Sequence, residues 1–125
     1  MKRIGIIDIG SNSIRLVVFD GPKRSPLYLY NEKVFFRLGL QSFGKKAFDN
    51  ATLKAVSRII NRYVAICRNM EINKIIMFGT SALREASNSN VLVEVIRKKT
   101  NIGIDVISGE KEAFYAAQGL SLIHI

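Results

Sequence analysis

Two short β-branched runs, Ile4-Gly5-Ile6-Ile7 and Ile14 to Phe19, flank the stretch Asp8-Ile9-Gly10-Ser11-Asn12-Ser13. No other feature narrows the possible folds of the chain as far. Apolar runs this short, bounded by turn formers, predict two strands joined by a tight loop. The loop residues Gly10, Ser11, Asn12 and Ser13 tolerate left-handed backbone and present N–H and hydroxyl groups together, a concave nest that suits a phosphate. Asp8, at the end of the first strand, would face that anion and repel it unless a divalent cation lay between them. The stretch therefore points to phosphate accompanied by Mg²⁺. A plain hairpin, with Asp8 accepting local hydrogen bonds, is the alternative that these residues leave open. No G-x-G-x-x-G is present, and no Gly-Lys-Ser/Thr opens a helix, so neither a dinucleotide fingerprint nor a Walker A loop is in play.

The remaining chain extends the pattern. Asp20-Gly21-Pro22-Lys23 is a turn signal, and Pro26 to Leu38 predicts a third antiparallel strand, bulged around Asn31-Glu32. Gly39 to Lys46 reads as loop. Leu53, Val56, Ile60, Tyr63, Val64 and Cys67 recur at helical spacing and predict a helix from about Thr52 to Asn69. Lys74 to Phe78 predicts a strand buried on both faces. Asn88 or Ser89 would cap a second helix with Val91, Leu92, Val95 and Ile96 on its apolar side and Lys98-Lys99 at its C-terminal dipole, ended by Asn101 and Gly103. Ile104 to Ile107 predicts another strand, and Ser108-Gly109 opens a third helix to about Gly119. Three antiparallel strands followed by two helix-linked strands make an α/β domain with a mixed five-stranded sheet.

Composition bounds the function. The chain has 125 residues, 48% of them apolar, enough for one domain with a real core. Nineteen basic against 10 acidic residues give a net charge of +9, which favours a polyanionic partner. No zinc-finger spacing, RNP-like aromatic motif or helix-turn-helix supports a nucleic-acid reader. Cys67 is the single cysteine, so no internal disulfide can form, and a reducing cytoplasm is the simplest home. Cys67 lies on the apolar stripe of its helix and reads as a buried structural thiol. No apolar stretch approaches the ~20 residues needed to span a bilayer, so no membrane partner is expected.

Two further segments follow predicted strands, where ligands gather in open α/β sheets. In Thr80-Ser81-Ala82-Leu83-Arg84 the hydroxyls could meet phosphate oxygens and Arg84 could supply a charged fork. Equally, Thr80 or Ser81 could cap a helical turn. In Ser108-Gly109-Glu110-Lys111-Glu112-Ala113, Glu112 could polarise a water for attack on phosphorus. With Gly109 as N-cap, Glu112 would instead fall at the capping-glutamate position. Arg15 could reach the cleft or alternate outward to solvent.

Together, the segments 7–15, 80–86 and 107–113 resemble the exopolyphosphatase / guanosine pentaphosphate phosphohydrolase family, in the family's order and at compatible spacing. The resemblance implies the first lobe of an actin-like ATPase (ribonuclease H-like) fold, spanning 1–119. It implies hydrolysis of a terminal phosphoanhydride in linear polyphosphate or guanosine pentaphosphate, with Mg²⁺, in a full-length protein that is a homodimer. On the matching positions it places Asp8 in the metal-phosphate region and Gly10, Ser11, Asn12 and Ser13 in the phosphate loop. Arg15, Thr80, Ser81 and Arg84 would help hold the anion, and Glu112 would be the water-activating base. The chain departs from the family in lacking a second glycine-rich phosphate loop, so the fragment alone is expected to be inactive. Residues 120–125 match a translated sequencing-adapter end and read as a non-native tail.

Overall fold

Along the first two strands, successive buried side chains join apolar clusters on opposite faces of the sheet, so both faces are covered there. The computed structural model describes residues 3–20, 27–38, 47–72, 74–111 and 113. Strands β1 (Arg3–Ile9), β2 (Ser13–Asp20) and β3 (Leu27–Phe35) precede helix α1 (Asn50–Asn69). Strand β4 (Lys74–Gly79), the short helix α2 (Ser81–Glu85), helix α3 (Ser89–Thr100) and strand β5 (Ile104–Val106) follow. The sheet order is β3-β2-β1-β4-β5, with β1–β2 and β2–β3 antiparallel and β1–β4 and β4–β5 parallel. This is the mixed five-stranded sheet expected from the sequence.

Ile7, Ile9, Ile14, Leu16 and Val18 pack on one face against α1 and α3, in a core that includes Tyr63, Cys67, Leu92 and Ile96. Ile6, Val17, Phe19, Phe78 and Ile107 form a smaller apolar cluster on the opposite face. Asp8 alternates with Ile7 and Ile9 and so belongs to this second face. Helix α1 starts at Asn50 rather than Thr52, because the Asp49 side chain accepts from Thr52 N at 2.7 Å and caps the helix earlier. It is seated on the sheet at two points. The buried Tyr63 hydroxyl donates to the Ile14 carbonyl at 2.9 Å, and Cys67 lies over Gly5, where a Cβ would stand 2.7 Å from Sγ.

Three local expectations are corrected. The irregularity in β3 falls at Leu29, not at Asn31-Glu32: Val18 pairs with Tyr30 and Phe19 with Tyr28. The extra residue reverses which face later side chains take. Strand β4 is fully buried only over Met77, Phe78 and Gly79, since Lys74 is exposed and Ile75 and Ile76 are half-buried. Asn88 precedes α3 but makes no capping bond; its amide instead accepts from Phe48 N and donates to Phe48 O at 2.8 and 2.9 Å. That pair ties the chain entering α1 to the chain entering α3. Asn101 ends α3 in left-handed conformation, as its position predicts. No described helix is long and apolar enough to cross a membrane. The predicted loop 39–46 and the tail 120–125 lie outside the described residues.

Burial pushes the Cys67 thiol from 9.0 up to about 11. The Tyr63 hydroxyl is pushed to about 12, first by burial and then by the nearby Glu32 carboxylate. Each group holds its proton in the native state at a pH where the unfolded chain has lost it. Stability is therefore full below about pH 9 and declines as pH rises through roughly 9–11 for the thiol, with the phenol extending the loss above that. Urea titrations across this range should show the decline, and Cys67→Ala should flatten its lower part.

Candidate functional site

Parallel pairing brings the C-terminal ends of β1, β4 and β5 to one rim of the sheet. Ile9 is in register with Gly79, and Gly79 with Val106. Backbone bonds continue the alignment past the strand ends, from Thr80 N to Ile9 O at 3.2 Å and from Ile107 N to Gly79 O at 3.0 Å. The three segments singled out in the sequence leave the sheet from these neighbouring points.

The first is the β1–β2 loop. Gly10 N donates to Ser13 O at 2.9 Å and Phe36 N to Asn12 O at 3.0 Å, fixing the loop between its own strands and the end of β3. Asn12 is exposed, while Gly10, Ser11 and Ser13 are half-buried. The second is α2. Its first residue reaches the loop directly: Ser11 Oγ and Ser81 Oγ are hydrogen-bonded at 2.7 Å. Thr80 is the N-cap residue but makes no side-chain capping bond. The chain can turn into α2 so tightly because residue 79 is glycine; a Cβ there would lie 1.9 Å from Leu83 Cδ1 and 2.9 Å from its Cγ.

The third segment follows β5 and is tied to the second. Arg84 Nη1 donates to the Ile107 carbonyl at 2.8 Å, and a Cβ on Gly109 would lie 4.0 Å from Arg84 Nη2. Ser108, not Gly109, caps the helical turn that begins at 109, since its Oγ accepts from Lys111 N at 3.1 Å. The capping-glutamate position is thereby occupied by Lys111, and the capping role considered for Glu112 falls away. Glu112 itself lies outside the described residues.

Asp8 and Arg15 are cross-strand neighbours and share the second face, with Asp8 Oδ1 buried. Arg15 does not turn toward Ser11: its Nε donates to Asn31 Oδ1 at 3.1 Å, and Asn31 pairs with Val17, two residues further from the loop than Arg15. Of the predicted residues, the structure therefore joins Ser11 to Ser81 and Arg84 to the start of the third segment. Asp8 stands at the end of β1, and Arg15 leans away. One residue that the sequence reading passed over is Lys33, opposite Arg15 in the same row as Asp8, with its Nζ 5.6 Å from the ring centre of the exposed Phe35. An unbulged β3 would have placed Glu32 there.

The donors at this rim are hard oxygens: the Asp8 carboxylate, the Ser11 and Ser81 hydroxyls and backbone carbonyls. Among the described residues, no group of three His, Cys, Asp or Glu could cage a metal. In donor chemistry, one carboxylate with hydroxyls and carbonyls suits a hard cation such as Mg²⁺, which keeps several of its waters, and does not suit zinc.

The model of the Ppx/GppA phosphatase family matches residues 6–123. The chain belongs to this family. Exopolyphosphatase 1 of Mycobacterium leprae is 32% identical over 114 residues, covering 89% of this chain and 33% of that protein. The crystal structure of an exopolyphosphatase from Cytophaga hutchinsonii superposes with a TM-score of 0.86 at 32% identity, over 94% of this chain and 39% of that one. An Aquifex aeolicus Ppx/GppA family member also gives 0.86, at 20% identity, over 95% and 39%. The fold is the actin-like ATPase fold of these Ppx/GppA relatives, and the chain spans about a third of the length of the exopolyphosphatases that it matches.

Two measurements check the rim. Gly79→Ala should cost about 1–3 kcal/mol in urea unfolding, because the whole Leu83 side chain must move to admit the methyl group. A double-mutant cycle of Ser11→Ala and Ser81→Ala should give a coupling of about 0.5–1.5 kcal/mol.

Proposed function

We propose that this chain forms one wall of a cleft in which water splits a terminal phosphoanhydride, in linear polyphosphate or at the 5′ end of guanosine pentaphosphate. The observation that carries the reading is the hydrogen-bonded convergence of three strand exits, through Ser11–Ser81 and Arg84–Ile107, on the rim that also holds Asp8. Membership of the Ppx/GppA phosphatase family and the exopolyphosphatase relatives support it.

Phosphoryl transfer to water asks the protein mainly for charge neutralisation and alignment. In this reading, backbone N–H groups of Gly10 to Ser13 and the hydroxyls of Ser11, Ser13, Thr80 and Ser81 receive the equatorial phosphate oxygens. Arg84 spans the second and third segments and positions the latter. Arg15 and Lys33, in one row with Asp8, add positive potential across β2 and β3. Glu112 holds the attacking water and accepts its proton as the bond to phosphorus forms. Mg²⁺, held by Asp8, would offset the charge of the phosphate oxygens. The rim is one side of the cleft, and the relatives' additional length supplies the other. A reducing cytoplasm and a homodimeric full-length protein complete the reading.

Converting the residue aligned with Glu112 to Gln in a full-length family member should lower phosphate release about 10²-fold or more while polyphosphate binding persists. Unchanged turnover would remove Glu112 from the mechanism. Residues 1–125 alone should release little phosphate.

A further inference from the structure

On the helical side of the sheet, away from Asp8, a cavity of about 440 Å³ opens between α1 and α3, lined by Lys54, Ser57, Arg58, Asn61, Val95 and Lys99. A second cavity of about 500 Å³ shares Asn61 and Lys99 and continues to Arg68 and Thr100. The two make one groove along α1. Its charge is of one sign: among the described residues no Asp or Glu lines either cavity, and α1 carries none along its 20 residues. Lys54 and Arg58 stand one turn apart, a spacing at which like charges repel. Neither they nor Lys99 form an ion pair among the described residues. By contrast, Arg62, off the groove, is paired with Glu32, and Arg68 donates to the Thr100 carbonyl at 2.6 Å.

A second observation is independent of charge. Ser57 is only 4% exposed, yet its Oγ, at the groove wall, has no hydrogen-bond partner among the described residues. A buried hydroxyl without a partner costs free energy that a ligand oxygen would recover. The groove also has a direction. Along α1, Cys67 lies over Gly5, and Tyr63 reaches Ile14, the partner of Ile9 at the rim end of β1. Lys54 lies further along the same course, so its end of the groove is the end toward the rim.

We propose that this groove is a second phosphate-chain site, which holds a stretch of linear inorganic polyphosphate between Lys54, Arg58 and Lys99 with Ser57 donating to a phosphate oxygen. Among the described residues no aromatic side chain lines it, so they offer none of the stacking platform of a single-stranded nucleic-acid channel. Its hydroxyl and amide donors match bare phosphate oxygens instead. The choice of ligand rests on the proposed phosphoanhydride reading, whereas occupation of the groove is a binding question that fails or succeeds separately from hydrolysis.

Isothermal titration of the 125-residue chain with long-chain polyphosphate, at several salt concentrations, tests the site. The triple variant K54Q/R58Q/K99Q should weaken binding about 10-fold or more and flatten the salt dependence by roughly two to three released counterions. Ser57→Ala should weaken it about 3-fold with the salt dependence unchanged. The variant K54Q/R58K/K99Q, which returns one of the three charges, should recover part of the loss. Unchanged affinity in the triple variant would overturn the proposal. So would binding lost only in the Ser11→Ala/Ser81→Ala rim variant, or equal competition by a single-stranded oligonucleotide of matched charge. Phosphate release by a full-length relative tests the hydrolytic reading and leaves these outcomes untouched.

Discussion

The register of β4 against β1 is the constraint on which the rest depends. Ile9 and Gly79 end their strands side by side, and Thr80 N closes onto Ile9 O. Were β4 displaced by one residue, its alternating side chains would exchange faces, and Ser81 would no longer meet Ser11. The glycine at 79 is part of the same constraint. It lets Leu83 fold back over the strand end, so that α2 starts at the rim rather than a turn beyond it. A five-residue helix has little stability of its own. Here Ala82 and Leu83 anchor it to the main core, and Arg84 ties it to Ile107.

The two faces of the sheet divide the work. One is sealed by α1 and α3 over a large apolar core, whereas the other, among the described residues, carries a smaller cluster on the face of Asp8, Arg15 and Lys33. Polar side chains can stand in a row on that second face because no described helix is packed against it. The fold thus separates stability from chemistry. Tyr63 and Cys67 hold the helix layer down, and the half-buried Ser11, Ser13, Thr80 and Ser81 stand at the strand exits.

Much of this was legible in the residues. Short β-branched runs, the α1 stripe and the strand-helix alternation were enough to reach the mixed sheet, because local periodicity and tertiary burial agree in those segments. The three rim segments were legible because each follows a strand, and parallel strands present their ends together. What escaped depended on partners distant in sequence. The bulge at Leu29 is decided by packing across β2 and β3, and it determines that Lys33 rather than Glu32 joins the row with Asp8. Asn88 has the right chemistry for a cap, but Phe48, 40 residues away, offers its amide two partners instead of one. Ser108 and Gly109 were both reasonable caps by type, and one hydroxyl bond to Lys111 N separates them.

The contact between Cys67 and Gly5 makes the molecule its own gauge. The chain has a single thiol, and it is buried at the seam between α1 and the first strand. Alkylating reagents can reach it only when the helix lifts from the sheet, so the rate of labelling counts those openings directly. Ligands that clamp the helix layer would slow the clock, and ligands confined to the far face would leave it running.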